Sequence, residues 1–182
     1  MVTKINGTTG VDKVATGAVM PTGSVIQVKS TLYSTTTSES ITGGADNFLS
    51  SFNLSITPVS TSSKIMLFGR WIGELSVSGT NDVMWFFGRN GTKINSGASV
   101  GSRNSGMAVH YINYWGEDTN STPEQVNLVT LDSPSTTSAI TYTIGLKPVN
   151  TGTVYLNRTT GDANEGYTER ATCEIIAMEI AG

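Results

Sequence analysis

The chain has 182 residues, a formal net charge of −3, a charged fraction of 14% and one cysteine. This length suits a single domain that buries enough surface to fold without disulfides or metals. Lysine and arginine are scattered along the chain, which argues against nucleic-acid binding. The sequence has no apolar run of about 18 residues, so we predict no membrane span. The first residues lack the apolar core of a secretory signal, so we expect assembly in a cytoplasm.

The first 22 residues differ from the rest of the chain. Their apolar side chains are spread thinly among Gly, Thr and Lys, so this segment cannot bury enough surface to fold alone. We predict an extended N-terminal arm over 1–22 that attaches to a partner, followed by a head domain over 23–182. The apolar residues that would make the attachment are Val2, Ile5, Val11, Val14 and Val19.

Between residues 24 and 180, apolar residues alternate with Ser, Thr and Asn in short runs separated by turn residues, as in β-strands. Asn90-Gly91 is a strong hairpin signal, and Gly69 and Gly73 predict a bulge or a close approach of backbones. The segment 34–47 is predicted to be a polar loop. The predicted strands are 24–33, 48–57, 64–77, 83–89, 92–98, 107–115, 126–131, 140–146, 153–158 and 170–180.

Nine or ten strands with regular turn signals predict an all-β fold, an antiparallel β-sandwich of the jelly-roll type. An immunoglobulin-like topology is the alternative. The runs 64–77 and 107–115 carry apolar residues at adjacent positions, and Phe86 and Phe87 must point to opposite faces of their strand. One face can enter the core, and a subunit interface is the simplest cover for the other.

Catalytic and metal-binding patterns were sought, and none is convincing. His110 is the only histidine and has no second ligand at zinc spacing. The stretch from Asp162 to Gly166 is rich in oxygen ligands, but the glutamate of an EF-hand would fall on Cys173, which leaves at most a loose calcium site. Cys173 itself is predicted to be a buried thiol. We expect no cofactor and no enzymatic activity, although the acids Glu117-Asp118 and Glu165 with Glu169 cluster in polar segments.

Aromatic side chains offer a second hypothesis, a carbohydrate-binding module. Flat aromatic faces can stack on sugar rings or fill a subunit interface. Packing in the core or in a subunit interface is the alternative to sugar binding, which we favour because aromatic residues supply much of the buried area in both. The candidate ligand or interface residues are Trp71, Trp85, Tyr111, Tyr114 and Trp115.

Three parts of the head domain resemble tail-fibre-like virion proteins of tailed phages that infect cyanobacteria and other aquatic bacteria. One is Pro-Thr-Gly-Ser-Val-Ile-Gln-Val at 21–28, and the second is Leu-Ser-Ile-Thr-Pro-Val-Ser-Thr-Ser-Ser-Lys-Ile at 54–65. The third extends from Leu-Asp-Ser-Pro-Ser-Thr-Thr-Ser at 131–138 through 153–158 to Met-Glu-Ile-Ala-Gly at 178–182. A weaker likeness links Ile-Asn-Gly-Thr-Thr-Gly in the arm to the leader of phage fibres.

The resemblance implies a non-enzymatic virion protein, assembled in the host cytoplasm as a homotrimer. It implies a short tail-fibre-like appendage that contacts other virion proteins and displays a head, with a host glycan as a possible receptor. A capsid decoration (cement) protein is the alternative; the shortness of the chain favours decoration or a stubby fibre, because a long shaft needs more residues than 1–22 provide. Residues from about 71 to 120 match least well, so any recognition specificity is expected there.

Overall fold

The computed structural model describes residues 20–76, 82–98, 100–109 and 121–182. These residues form twelve β-strands and no helix, which confirms the predicted all-β class. The predicted arm residues 1–19 lie outside the described residues. The strands are β1 Val25–Tyr33, β2 Thr37–Ile41, β3 Asn47–Ile56, β4 Lys64–Gly73, β5 Leu75–Ser76, β6 Val83–Arg89, β7 Thr92–Ile94, β8 Ala108–Val109, β9 Glu124–Asp132, β10 Ile140–Pro148, β11 Gly152–Leu156 and β12 Cys173–Ile180.

Two antiparallel sheets form the sandwich. The first sheet has the strand order β1-β12-β4-β9. The second has the order β3-β10-β6, and β7 and β8 follow each other along the remaining edge of β6. If β7 and β8 are counted as one interrupted strand, the successive strands of the sandwich alternate between its two sheets except at the β6–β7 hairpin, which is the pattern of a jelly roll. The predicted β-sandwich is thus confirmed, with jelly-roll rather than immunoglobulin-like connections.

Side chains on the inner faces of the two sheets form one core. Ile65, Leu67 and Trp71 of β4 point inward and are fully buried, as expected for alternate positions of a strand. Gly69 lies between them, and a Cβ there would come within 2.6 Å of the Phe87 ring on the opposite sheet. Since β4 pairs with both neighbours without a register shift, its glycines mark a close approach and not a bulge.

The connections divide the molecule into two ends. At the chain-terminus end, residues 20–24 meet the C-terminus: the Gly23 amide donates to the Ala181 carbonyl and the Ala181 amide donates to the Ser24 carbonyl, each at 2.8 Å. The Asn90-Gly91 hairpin is also here, with φ of 50° and 76°, the left-handed values that a type I′ turn needs. At the opposite end, which we call the loop end, a small sheet of order β2-β11-β5 covers the sandwich.

The segment 34–47, predicted as a loop, contains β2, so that prediction is wrong. No apolar alternation marks Thr37–Ile41, because its edge of the small sheet is largely exposed. Pairing with β11 defines the strand, and one carboxylate fixes it to β3. The amides and hydroxyls of Ser50 and Ser51 all donate to Glu39. Burial alone would raise the pKa of Glu39, but these bonds lower it below its ordinary value.

Other predicted strand ends also change. The strand predicted at 92–98 stops at Ile94, because Asn95 adopts a φ of 48° and its side chain donates to Thr130 Oγ1 and to the Leu131 carbonyl on β9. Of the strand predicted at 107–115, only β8 falls within the described residues. The strand predicted from residue 170 begins at Cys173.

Two buried carboxylates hold the chain-terminus end together. Asp132 accepts bonds from Arg89 Nη1 at 3.0 and 2.9 Å and from the Tyr142 hydroxyl at 2.6 Å, which links β9 of the first sheet to β6 and β10 of the second. Glu179 accepts Gln27 Nε2 at 2.5 Å and the Val59 amide at 2.7 Å. These bonds satisfy charges that would otherwise be costly to bury.

Candidate interaction surfaces

The outer face of the first sheet is apolar at its centre. Two neighbouring rows of paired residues cross the four strands at this centre. The first row is Val28, Met178, Met66 and Leu131, and the second is Ser30, Ile176, Phe68 and Val129. Alternate residues of β4, β9 and β12 are buried in the core, so the side chains of the two rows point outward on these strands. Val28 and Ser30 of β1 lie in the same rows by their pairing with β12. We call the seven apolar members the apolar face: Val28, Met66, Phe68, Val129, Leu131, Ile176 and Met178.

Several of these side chains are in contact with solvent. Val28 is 52% exposed, Val129 58%, Leu131 43% and Phe68 38%. An antiparallel sheet with a solvated face normally presents polar residues there. None of the described residues covers the apolar face, and contiguous exposed patches of this kind mark interaction sites.

The outer face of the second sheet is polar toward the chain-terminus end, and the aromatic side chains that it carries pack on one another. Asn53 and Ser55 are exposed on β3 and Thr141 follows on β10. Phe86, which was expected to need a subunit as cover, is fully buried by its own chain. Phe48 packs edge-on against it, with ring centroids 5.6 Å apart, and Lys93 Nζ lies 5.0 Å from its centroid. The argument from Phe86 for an interface is therefore wrong.

A shallow depression interrupts the apolar face beside two charged side chains. Arg70 and Glu174 line it together with Phe68, Val129 and Ile176. Arg70 Nη2 donates to Thr172 Oγ1 at 3.3 Å and lies 4.0 Å from the Glu174 carboxylate. Arg70 Nε is buried without an acceptor among the described residues. The two opposite charges thus contact each other only at the limit of an ion pair.

At the loop end, polar side chains organise the long segment that follows β11. Asn157 is fully buried and its amide donates to the carbonyls of Tyr33 and Thr35 at 2.8 and 3.0 Å. Arg158 lies over the Tyr155 ring, 4.6 Å from its centroid. Asp162 accepts two bonds from Arg170, at 3.0 and 2.9 Å.

This arrangement does not favour the calcium site considered at Asp162. Both carboxylate oxygens already accept from Arg170, and Arg158 lies within 3.9 Å. Across the described ranges no cluster of three His, Cys, Asp or Glu side chains is placed to hold a metal ion. A carboxylate neutralised by arginines offers little to a divalent cation.

The structure brings together only two of the five aromatic candidates. Trp71 and Trp85 are fully buried and pack against each other across the sandwich, with ring centroids 4.4 Å apart at 33°. They cannot contact a sugar or another subunit, so their assignment as ligand or interface residues is wrong, and the core alternative is right. Tyr111, Tyr114 and Trp115 lie outside the described residues.

The remaining reactive groups do not form a site within the described residues. Cys173 is buried, and burial raises the pKa of its thiol to about 11. Its Sγ accepts the Ile72 amide at 3.3 Å, so it packs in the sheet as predicted. Glu165 and Glu169 are exposed; His110, Glu117 and Asp118 lie outside the described residues, as do the arm residues Val2, Ile5, Val11, Val14 and Val19.

Comparison with known proteins adds no family. No protein-family model matches the chain, and a search of curated proteins found no match. In the part of the chain that the structure describes, no helix has the length and apolar character to cross a membrane. The fold and the apolar face are therefore the features that bear on function.

Proposed function

We propose that this protein is a non-enzymatic structural protein of a phage virion. Its N-terminal arm anchors it in the particle, and its jelly-roll head, assembled as a homotrimer, is displayed at the surface as a short tail-fibre-like appendage. The observation that carries this proposal is the polarity of the head. The arm joins the sandwich at one end, and the long connections lie at the other.

The arm junction is firmly held at the chain-terminus end. The backbone bonds of Gly23 and Ser24 with Ala181 fix the point where the arm leaves the head. Strands of up to ten residues extend roughly 33 Å at about 3.3 Å per residue. The loop end therefore lies about this far from the arm, which suits a head that is anchored at one end and contacts its target with the other.

The loop end is also where a host glycan would be contacted. The segment 110–120, which contains Tyr111, Tyr114 and Trp115, leaves the described structure at Val109 and returns at Ser121. Val109 pairs with Met84 near the start of β6, and Ser121 precedes β9, which starts opposite Gly73. Both positions lie at the loop end, away from the arm junction, which is the end that a displayed head would turn toward its target.

Labelling and deletion together test this proposal. Antibody raised against the head should label intact virions at the tail; label over the capsid would favour decoration, and no label would refute a virion role. Deletion of residues 1–20 leaves the Gly23 and Ser24 bonds in place, so we expect a folded head by circular dichroism that no longer joins the particle. A control variant at the loop end, Tyr167→Ser, should join normally because this side chain is 55% exposed. A truncated head that still joins the virion at wild-type levels would refute anchoring by the arm.

A further inference from the structure

We infer that the apolar face of the first sheet binds a second copy of this chain. The inference builds on the proposed function, since it names the surface through which the displayed head self-associates. It depends on three observations: the contrast between the two outer faces, the size of the apolar face, and the state of Arg70 and Glu174.

The contrast between the faces shows which one is suited to burial. The rows that cross the first sheet are apolar at seven of eight central positions. The outer face of the second sheet presents Asn53, Ser55 and Thr141 to solvent, and its aromatic residue Phe86 is covered by Phe48 and Lys93 of the same chain. A head displayed as a monomer would have both outer faces solvated, so the first sheet carries the face that is adapted to a partner.

The size of this face suits association between proteins. Four strands about 4.8 Å apart and roughly nine residues long, at about 3.3 Å each, span roughly 19 by 30 Å. This outline of about 570 Å² is that of the whole outer face of the first sheet, with the apolar face at its centre, and it approaches the roughly 800 Å² that each partner contributes to a standard interface. Exposed residues at its rim, Leu32 on β1 and Val25 near the arm junction, extend it toward that size.

Charge complementarity favours a copy of the same chain as the occupant. On its loop-end side the apolar face is bordered by Arg70 and Glu174, which are 40% and 33% exposed and 4.0 Å apart; exposed Lys64 borders it on the opposite side. Both side chains keep about a third or more of their surface exposed, so a second copy can reach them. When a second copy packs on this face, Arg70 of one copy can bind Glu174 of the next with short, charge-assisted bonds.

Substitutions on the two outer faces provide the main test. Phe68→Lys places a charge at the centre of the apolar face, and Val129→Lys places one on the edge strand β9, where the side chain is already 58% exposed. Ser55→Lys is the matched control on the exposed outer face of the second sheet. In sedimentation equilibrium at micromolar concentration, we expect the wild-type chain and Ser55→Lys to associate. The two variants on the apolar face should raise the dissociation constant roughly 30-fold or more, as central interface residues do.

Mixing of charge variants tests the pairing itself. Arg70→Glu and Glu174→Arg each place like charges on the face, and each variant alone should associate weakly. An equimolar mixture should associate more strongly than either alone, because each chain then carries the charges that the other lacks. If Arg70 contacts only Glu174 of its own chain, the mixture should associate no more strongly than the single variants. A mixture that associates no better than its components would overturn the Arg70–Glu174 pairing.

The remaining outcomes separate this inference from the proposed function. An associated wild-type chain that Phe68→Lys and Val129→Lys leave unchanged overturns the inference alone. If the wild-type chain is monomeric but associates once residues 1–19 are removed, the arm and not a second copy occupies the apolar face. A monomeric head that labels virions overturns the inference and keeps the virion role. An associated head that is absent from virions overturns the virion role and keeps the inference.

Discussion

Asp132 offers the sharpest test of how the two sheets are held together. Its carboxylate is 4% exposed and accepts bonds from Arg89 and Tyr142, which belong to the opposite sheet. Tyr142→Phe removes one bond to a charged acceptor and should lower the free energy of unfolding by about 1.5–3 kcal/mol. Burial and the Asp132 charge raise the pKa of Tyr142 far above its ordinary value, so the hydroxyl is a donor at every pH at which the protein folds.

Asp132→Asn should destabilise the fold more than Tyr142→Phe does. It leaves the shape nearly unchanged but removes the charge that both partners bind. The loss of one partner from a fully buried pair costs about 3–5 kcal/mol. Because the Arg89 side chain remains 30% exposed, water solvates part of its charge, and we expect about 2–4 kcal/mol. Asp46→Asn is the control, since the Asp46 side chain is 32% exposed in its contact with Lys93 and the loss should stay below about 1 kcal/mol.

Urea unfolding of the wild type, the two single variants and the double variant measures these values. The two substitutions remove the same bond, so the double variant should be less destabilised than the sum of the singles by about 1 kcal/mol or more. Losses that simply add, or an Asp132→Asn loss no larger than that of the Asp46→Asn control, would refute the view that this carboxylate ties the sheets.

Three further predictions concern single sites. Burial would raise the pKa of Glu179, but hydrogen bonds from Ser63, Gln27 and the Val59 amide lower it; its stabilisation is therefore complete above pH 4.5 or so and is lost as pH falls through the folded-state pKa. The melting-temperature deficit of Glu179→Gln should accordingly shrink from pH 7 to pH 3, whereas exposed Glu169→Gln should show little deficit at either pH. Gly73→Ala would place a Cβ 1.9 Å from the Tyr155 carbonyl oxygen, so it should lower the free energy of unfolding in urea by about 3 kcal/mol or more. Gly166→Ala is the control: its Cβ would meet open space, and the free energy of unfolding should change by no more than about 0.5 kcal/mol. Cys173, buried with its pKa raised to about 11, should react with a thiol reagent only as fast as the protein opens, and rapid labelling of the native protein would contradict its placement.

The parts of the fold that sequence predicts well are those in which one face of a strand is buried and the other solvated. β3 alternates buried Phe52, Leu54 and Ile56 with exposed polar residues, and its core positions follow directly from that pattern. β2 escapes prediction because neither of its faces enters the main core; only pairing with β11 and the bonds to Glu39 define it. Local pattern carries no information about such distant partners.

Prediction of the candidate sites was limited for a related reason. A tryptophan in a strand has the same sequence signature whether it stacks on a sugar or fills the core, so Trp71 and Trp85 could be assigned only once both sheets were placed. Phe86 and Phe87 do point to opposite faces, but the cover for Phe86 comes from Phe48 and Lys93, which are distant in sequence. The strand count predicts a sandwich, whereas its strand order depends on pairings that only the structure shows.

Continuous apolar runs lie in central strands of both sheets. In β4, Ile65, Met66, Leu67 and Phe68 form such a run, in β12 Ile175 and Ile176 are adjacent, and in β6 the run extends from Val83 to Phe87. Such runs are typical of strands that are buried on both faces. On β6 the outward Phe86 is covered by Phe48 and Lys93 of the same chain, whereas Phe68 on β4 stays 38% exposed. An uncovered run is a disadvantage in a solvated monomer, because it exposes apolar surface that promotes association without specificity. The run in β4 is therefore best explained if the first sheet is covered in the assembled protein, as β6 is already covered within one chain.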